Sequence, residues 1–219
     1  FNFFKQTFFV ICYDTRGHGA SSAPKDPYTL DQLGSDVIHL LDHLNIPKAS
    51  FCGISMGGLT GQWLAIHYPE RFLHVIIANT AAKIGQAQAW HDRAKLVREQ
   101  GLQSIAETAA SRWFTEDFIQ QHSSIVATLS DDLAAGSADG YASCCEALAL
   151  ADVRDELTKI SIPVLIIAGQ HDPVTTIADG KWMQQKIAHA QLAEINASHI
   201  SNIEQPEQFN QFIGQFLVT

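Results

Sequence analysis

The spacing of apolar residues changes period several times along this chain. Phe8 to Tyr13 is a continuous apolar run ended by Asp14, the pattern of a strand buried on both faces. A polar, glycine-containing loop follows, Thr15-Arg16-Gly17-His18-Gly19-Ala20-Ser21. Thr29 and Gln32 then make a T-x-x-Q capping box, and Leu30, Leu33, Val37, Leu40, Leu41 and Leu44 recur behind it at helical spacing. Ala49-Ser50-Phe51-Cys52 is a short β-like run. Leu59, Trp63, Leu64 and Ile66 form the apolar stripe of a helix that reaches Tyr68. After the breaker Pro69, Leu73 to Ala78 reads as a buried strand, as does Val164 to Ala168 after Pro163. Gln191 to Ile195 makes a last strand, and Pro206 to Leu217 a closing helix with proline in its first turn.

Strands that alternate with helices predict a parallel sheet covered on both faces, an α/β architecture. Between Thr80 and Asp155 the strand pattern stops. That segment is rich in Ala, Gln and Leu, carries Trp90, Gly101 and Trp113, and predicts several short helices. Such an insertion is expected over the carboxyl ends of the strands, where ligands bind. The chain therefore divides into a core of residues 1–80 and 156–219 and a helical cap of residues 81–155.

Composition narrows the function classes. The chain has 219 residues, 46% apolar and 17% charged, enough for one compact domain with an insertion. A net charge of −9 with no local Lys/Arg run argues against nucleic acid as a partner. No apolar stretch is long enough to span a bilayer, and Phe1-Asn2-Phe3-Phe4-Lys5 lacks the marks of a signal peptide. Cys12, Cys52, Cys144 and Cys145 show no C-x-x-C spacing, which predicts a reduced, cytoplasmic chain in which they have no metal or redox role. His39 and His43 lie four apart near Asp36, a spacing that could bind metal. They fall on the polar side of their helix, however, and are expected to be a solvated face.

The chemistry concentrates at Gly53-Ile54-Ser55-Met56-Gly57. A G-x-S-x-G pattern between a strand and a helix is the setting of a nucleophile elbow. The serine there is expected in a strained conformation, with Gly53 and Gly57 small because side chains would collide where strand and helix pass closely. Met56 opens the helix, so its backbone N–H is free to meet an oxyanion. Serine needs a base, and the base an orienting carboxylate. After Ser55, Asp172 stands at the carboxyl end of a strand. The corresponding position of the preceding strand holds Asn79, which cannot serve as the acid. His199 lies in the loop after the last strand, whereas His189 precedes that strand at the wrong edge. The expected triad is Ser55, His199 and Asp172.

Asp14 to Ser21, Gly53 to Gly58 and Gly61-Gln62-Trp63-Leu64-Ala65 resemble the α/β-hydrolase superfamily and, within it, the 3-oxoadipate enol-lactonases. Asn79 to Gly85, Gly140 to Cys145 and Ala197 to Pro206 carry the narrower likeness, which extends over essentially the whole chain. The resemblance implies the α/β-hydrolase fold and hydrolysis of a five-membered enol-lactone bearing a carboxymethyl group, a step of aromatic-compound catabolism that uses no cofactor or metal. That family begins with further strands, one lying between the Phe8 and Ala49 strands, and a His-Gly-type loop that gives the second oxyanion donor. The expectation is thus a piece of a longer protein, short of about 40 residues at its front, with one oxyanion donor encoded.

An anionic lactone or ester in an acidic chain needs a local cation. Arg93, Arg112 and His18 are candidates by location, with Trp113 as an apolar wall. A carboxylesterase or a C–C bond hydrolase of the same fold would share the triad and differ in the cap. Epoxide hydrolases and dehalogenases place Asp where Ser55 stands. A non-catalytic binding module would have no use for the complete set of Ser55, Asp172 and His199.

Overall fold

The computed structural model describes residues 2–218. Its sheet contains four parallel strands in the order β1 (Ala49–Ile54), β2 (Phe72–Ala78), β3 (Val164–Gly169) and β4 (Gln191–Ile195). Side chains alternate between two packed faces, as the pleat requires. Val75, Ile77, Val164 and Ile166 join one core, whereas Ile76, Ala78, Leu165 and Ile167 join another. α1 (Leu30–His43) and α2 (Met56–His67) cover the first face. The second face receives Phe209, Ile213 and Phe216 of the closing helix, described below. Each such fully buried side chain contributes roughly 1.5–3 kcal/mol.

α1 begins at the expected capping box, with Thr29 and Gln32 bonding reciprocally. α2 departs from the expected single stripe: Gly58 to Ala65 are all buried. The helix is enclosed on every side by the sheet, by α1 and by the segment after β2, so periodicity there carries little information.

Between β2 and β3 run six helices: α3 (Ala87–Gln100), α4 (Gln103–Glu107), α5 (Ala110–Trp113), α6 (Glu116–Gln121), α7 (Ser123–Ala134) and α8 (Ala138–Leu150). They hold a small core of their own, Ala94, Val97, Leu102, Ile105, Ala142 and Cys145. α8 also packs on the main body, where Cys144 and Ala147 meet Tyr28, Leu33 and Met56. α9 (Ile177–Lys186) lies between β3 and β4, and α10 (Ser201–Glu204) and α11 (Pro206–Phe216) end the chain. The sequence pattern did not single out α9. Its start is marked by a reciprocal capping box with Asp in place of Glu or Gln, Thr176 with Asp179.

The expected strand at Phe8–Tyr13 is not a strand. The segment bends at Phe8 and pairs with no strand among the described residues, and Phe9 is 83% exposed. An apolar run becomes a strand buried on both faces only where a ladder partner and two covering layers exist, and β1 presents its free edge instead. The loop after it is fastened: Arg16 forks onto Asp36 of α1 with two bonds of 2.6 Å. Asp36 is thereby occupied, and His39 and His43 stand exposed. Among the described residues, no helix is long and apolar enough to cross a membrane.

α1 and α2 touch where Gly34 faces the six-membered ring of Trp63, so closely that a Cβ at residue 34 would overlap it. The indole is held by its Nε1–H donating to Asp31 at 2.6 Å and by ring contacts with His67 and Tyr68. Gly34→Ala should therefore destabilise by about 1–3 kcal/mol although alanine favours helix. Urea unfolding should show a lower midpoint at unchanged slope; an equal or higher midpoint would mean that the ring yields freely.

Candidate active site

Every strand of the sheet ends at the same edge, and each carboxyl end delivers one polar residue: Ser55 after β1, Asn79 after β2, Asp172 after β3 and His199 after β4. The ladder continues just past the strands, with Ser55 N–H donating to Ala78 O at 2.9 Å and Asn79 N–H to Ile167 O at 2.8 Å. These bonds transmit the register of the sheet to the site.

Ser55 has φ +55° and ψ −117°, a costly conformation for a residue with a side chain. It is tolerated because the turn is tied on both sides. The Ser55 carbonyl accepts from Leu59 N–H at 3.0 Å and from the Thr80 hydroxyl at 2.8 Å. A Cβ at Gly53 would overlap the Gly57 carbonyl, so strand and helix do pass too closely for any other residue there. Gly57 is a correction to the sequence-based expectation, since a Cβ on it would meet nothing within 4 Å. The steric demand falls on Gly53 and on Gly58, whose Cβ would press on Thr80.

A chain of hydrogen bonds runs inward from the turn. His199 Nε2 lies 2.9 Å from Ser55 Oγ, and His199 Nδ1 lies 2.8 Å from Asp172 Oδ2. Asp172 and His199 are both buried. Asp172 Oδ1 accepts from the N–H groups of Val174 at 2.8 Å and Thr175 at 3.0 Å. Its Oδ2 accepts, besides His199, the Thr175 hydroxyl at 2.8 Å and the Asn79 amide at 3.0 Å. Asp172 is thus a turn aspartate before Pro173 and the partner of His199 at once. Burial pushes its carboxyl pKa up, but the bond and charge of His199, with Thr175 and Asn79, outweigh that and hold it below the ordinary value. The carboxylate is therefore charged at neutral pH, as an acceptor of five hydrogen bonds must be. Ser55, with His199 against it, is arranged as a nucleophile beside its base. Met56, first residue of α2, has no intrahelical acceptor for its N–H. Burial raises the Cys144 and Cys145 thiols to about 12, so neither competes as a nucleophile.

Two supporting residues escaped the sequence analysis. Asn79, set aside there as unable to be the acid, has φ +43° and turns its amide to Asp172 and to Ser198 O at 2.9 Å, while its Oδ1 accepts from Ser201 Oγ. Glu204 is buried, and its carboxylate accepts from Ser198 N–H at 2.8 Å and from both the N–H and hydroxyl of Thr115. It ties the loop carrying His199 to the start of α6. Lone Asn and Glu residues give no spacing signal; only their position at a strand end and shortly after His199 hinted at a role.

The four binding candidates are dispersed over three elements. Trp113 and Arg112 end α5 against the His199 loop, where Trp113 O accepts from Ile200 N–H at 2.9 Å and Arg112 O from the Ser198 hydroxyl at 3.5 Å. Arg93 lies on α3 with its guanidinium 5.0 Å from the Trp90 ring centre. His18 is half-buried in the loop before α1, its Nδ1 lying 3.4 Å from Arg16 O.

Comparison with known proteins agrees with this geometry. The α/β hydrolase fold family matches residues 2–206. The chain is 68% identical over 211 residues to 3-oxoadipate enol-lactonase 2 of Acinetobacter baylyi, covering 96% of this chain and 79% of that protein. It is 49% identical over 213 residues to 3-oxoadipate enol-lactonase 1 of the same organism, covering 97% and 80%. The crystal structure of the enol-lactonase from Burkholderia xenovorans LB400 superposes with a TM-score of 0.93 at 45% identity, covering 94% of this chain and 80% of that one. With its parallel sheet, strand–turn–helix serine and histidine after the last strand, the chain belongs to the α/β hydrolase fold family.

Proposed function

We propose that this protein is a serine hydrolase that opens the ring of 3-oxoadipate enol-lactone to give 3-oxoadipate. The observation that carries the reading is the unbroken bond chain from Ser55 Oγ through His199 to Asp172, at 2.9 and 2.8 Å. The substrate follows from the identity to enol-lactonases over nearly the full chain. Residues 81–155 act as the cap that shapes the pocket, and residues 1–80 and 156–219 form the core.

Each step uses a group in place. His199 Nε2 takes the proton of Ser55 Oγ as the oxygen attacks the ring carbonyl, and Asp172 holds the imidazole and stabilises its charge. The Met56 N–H donates to the oxyanion at the positive end of α2. Collapse breaks the ring C–O bond and expels an enolate, a better leaving group than an alkoxide, which takes a proton and tautomerises to the ketone. Water, deprotonated by His199, then attacks the Ser55 ester and releases the second carboxylate. The chemistry needs no cofactor.

Two measurements test this. Asp172→Asn, compared at a temperature where its thermal melt shows it folded, should lower kcat by about 10⁴-fold, because the base loses its orienter and its tautomer; a loss under tenfold would remove Asp172 from that role. Steady-state kinetics should give a higher kcat/KM for the enol-lactone than for simple esters or vinylogous diketo acids. A preference for simple esters would make the protein a carboxylesterase, and failure of Ser55 to react with a fluorophosphonate would remove the enzyme reading altogether.

A further inference from the structure

Carboxylates outnumber basic side chains in this protein, 23 Asp and Glu against 14 Lys and Arg. Four of its arginines duly find one: Arg16 pairs with Asp36, Arg71 with Asp42, Arg98 with Glu146 and Arg154 with Asp152. Arg93 and Arg112 pair with none among the described residues, yet they are charged neighbours of one another. Arg112 is half-buried and, among the described residues, donates only to neutral oxygens, Thr108 Oγ1 at 2.9 Å and Ile105 O at 3.4 Å. Burial lowers its pKa, the Arg93 charge lowers it further, and Tyr141 acts in the opposite sense. Arg93 is fixed against the Trp90 ring, which is itself anchored by Nε1–H donating to Ile84 O at 2.5 Å. The Tyr141 phenol hydrogen-bonds the Arg93 side chain and lies within the field of Arg112. Burial and then Cys145 raise its phenol, while Arg93 and Arg112 pull it back.

The cluster sits beside the catalytic turn. Arg112 precedes Trp113, and the carbonyls of both accept from residues flanking His199. Tyr141 lies next to Gly140, which packs on Gly17, and one turn before Cys144, which packs with Met56. Two unneutralised guanidiniums held together in a half-buried place repel each other unless an anion bridges them. Their forked donors suit a carboxylate, and a phenol adds a third donor. We propose that Arg93, Arg112 and Tyr141 form a carboxylate-binding subsite that seats the acidic arm of the substrate while its ring carbonyl lies at Ser55. This rests on the hydrolase reading above and adds to it what the helical insertion recognises.

The test is a ratio: kcat/KM for the carboxymethyl enol-lactone over that for the same lactone with a methyl group in its place, measured on the full-length protein. Arg93→Gln and Arg112→Gln should each lower the ratio by about 10- to 100-fold, mostly through KM, the loss expected for one charge-assisted pair. Tyr141→Phe should lower it less. Arg→Lys at either position should restore part of it, because a lysine keeps charge but not the fork. If a Gln variant does not fold by its thermal melt, its Lys variant decides, since a raised KM for the anionic lactone supports the subsite and an unchanged one overturns it. Equal loss on both lactones would mark a packing role and overturn the subsite. Failure of the function reading looks different: if wild type opens neither lactone but prefers carboxylate-bearing esters in an arginine-dependent way, the subsite stands. If wild type opens the anionic lactone and the ratio ignores both arginines, the subsite falls alone.

Discussion

The structure depends on keeping one negative charge, that of Asp172, inside the protein. A buried carboxylate without partners would take up a proton rather than stay charged. Here five donors meet it: two backbone N–H groups, a hydroxyl, an amide and the imidazole of His199. They come from the ends of β2, β3 and β4, so the charge joins three loops as firmly as any core contact does. The arrangement is mutual. Asp172 fixes the tautomer and angle of His199, and those donors keep Asp172 ionised.

Such convergence is possible only because the sheet is parallel. Parallel strands put all their carboxyl ends on one edge, and the neighbours β1 to β4 follow chain order. Ser55, Asn79, Asp172 and His199 therefore line up across the edge without long loops. Two residues on that line have left-handed backbone, Ser55 at φ +55° and Asn79 at φ +43°, as do Asn45 and His189 away from it. The Thr80 hydroxyl, the amide of Asn79 and the carboxylate of Glu204 hold these turns in place. The same edge connects to the helical segment, since α5 carbonyls and Thr115 reach the His199 loop. The helical segment and the catalytic edge are thus mechanically joined at a few bonds.

The elements with strong local signals were legible in the sequence. β3 carries an unbroken apolar run and β2 a largely apolar one, each after a proline breaker, and the capping box at Thr29 fixed the start of α1. Ser55, His199 and Asp172, which the structure brings into one bond chain, could be picked out in the sequence because the chemistry demands an order and a strand-end position, and few residues meet both. What stayed hidden depends on neighbours remote in sequence. Phe8–Tyr13 has the composition of a strand, but pairing is a property of two segments, and this one has no partner among the described residues. Gly57 looked as necessary as Gly53 until the direction of its missing side chain was known. Asn79 and Glu204 are ordinary polar residues whose work comes from contacts 93 and 89 positions away. The pairing of Arg93 with Arg112 likewise needed two helices in space.

Acylation of Ser55 through this relay is the event on which the proposed chemistry turns. Rapid-quench mass spectrometry of the full-length protein, mixed with the carboxymethyl enol-lactone, reads that event directly. A transient adduct of the whole lactone mass is expected on the peptide containing Ser55, absent from Ser55→Ala. Normal ring opening by Ser55→Ala, or an adduct on another residue, would contradict it.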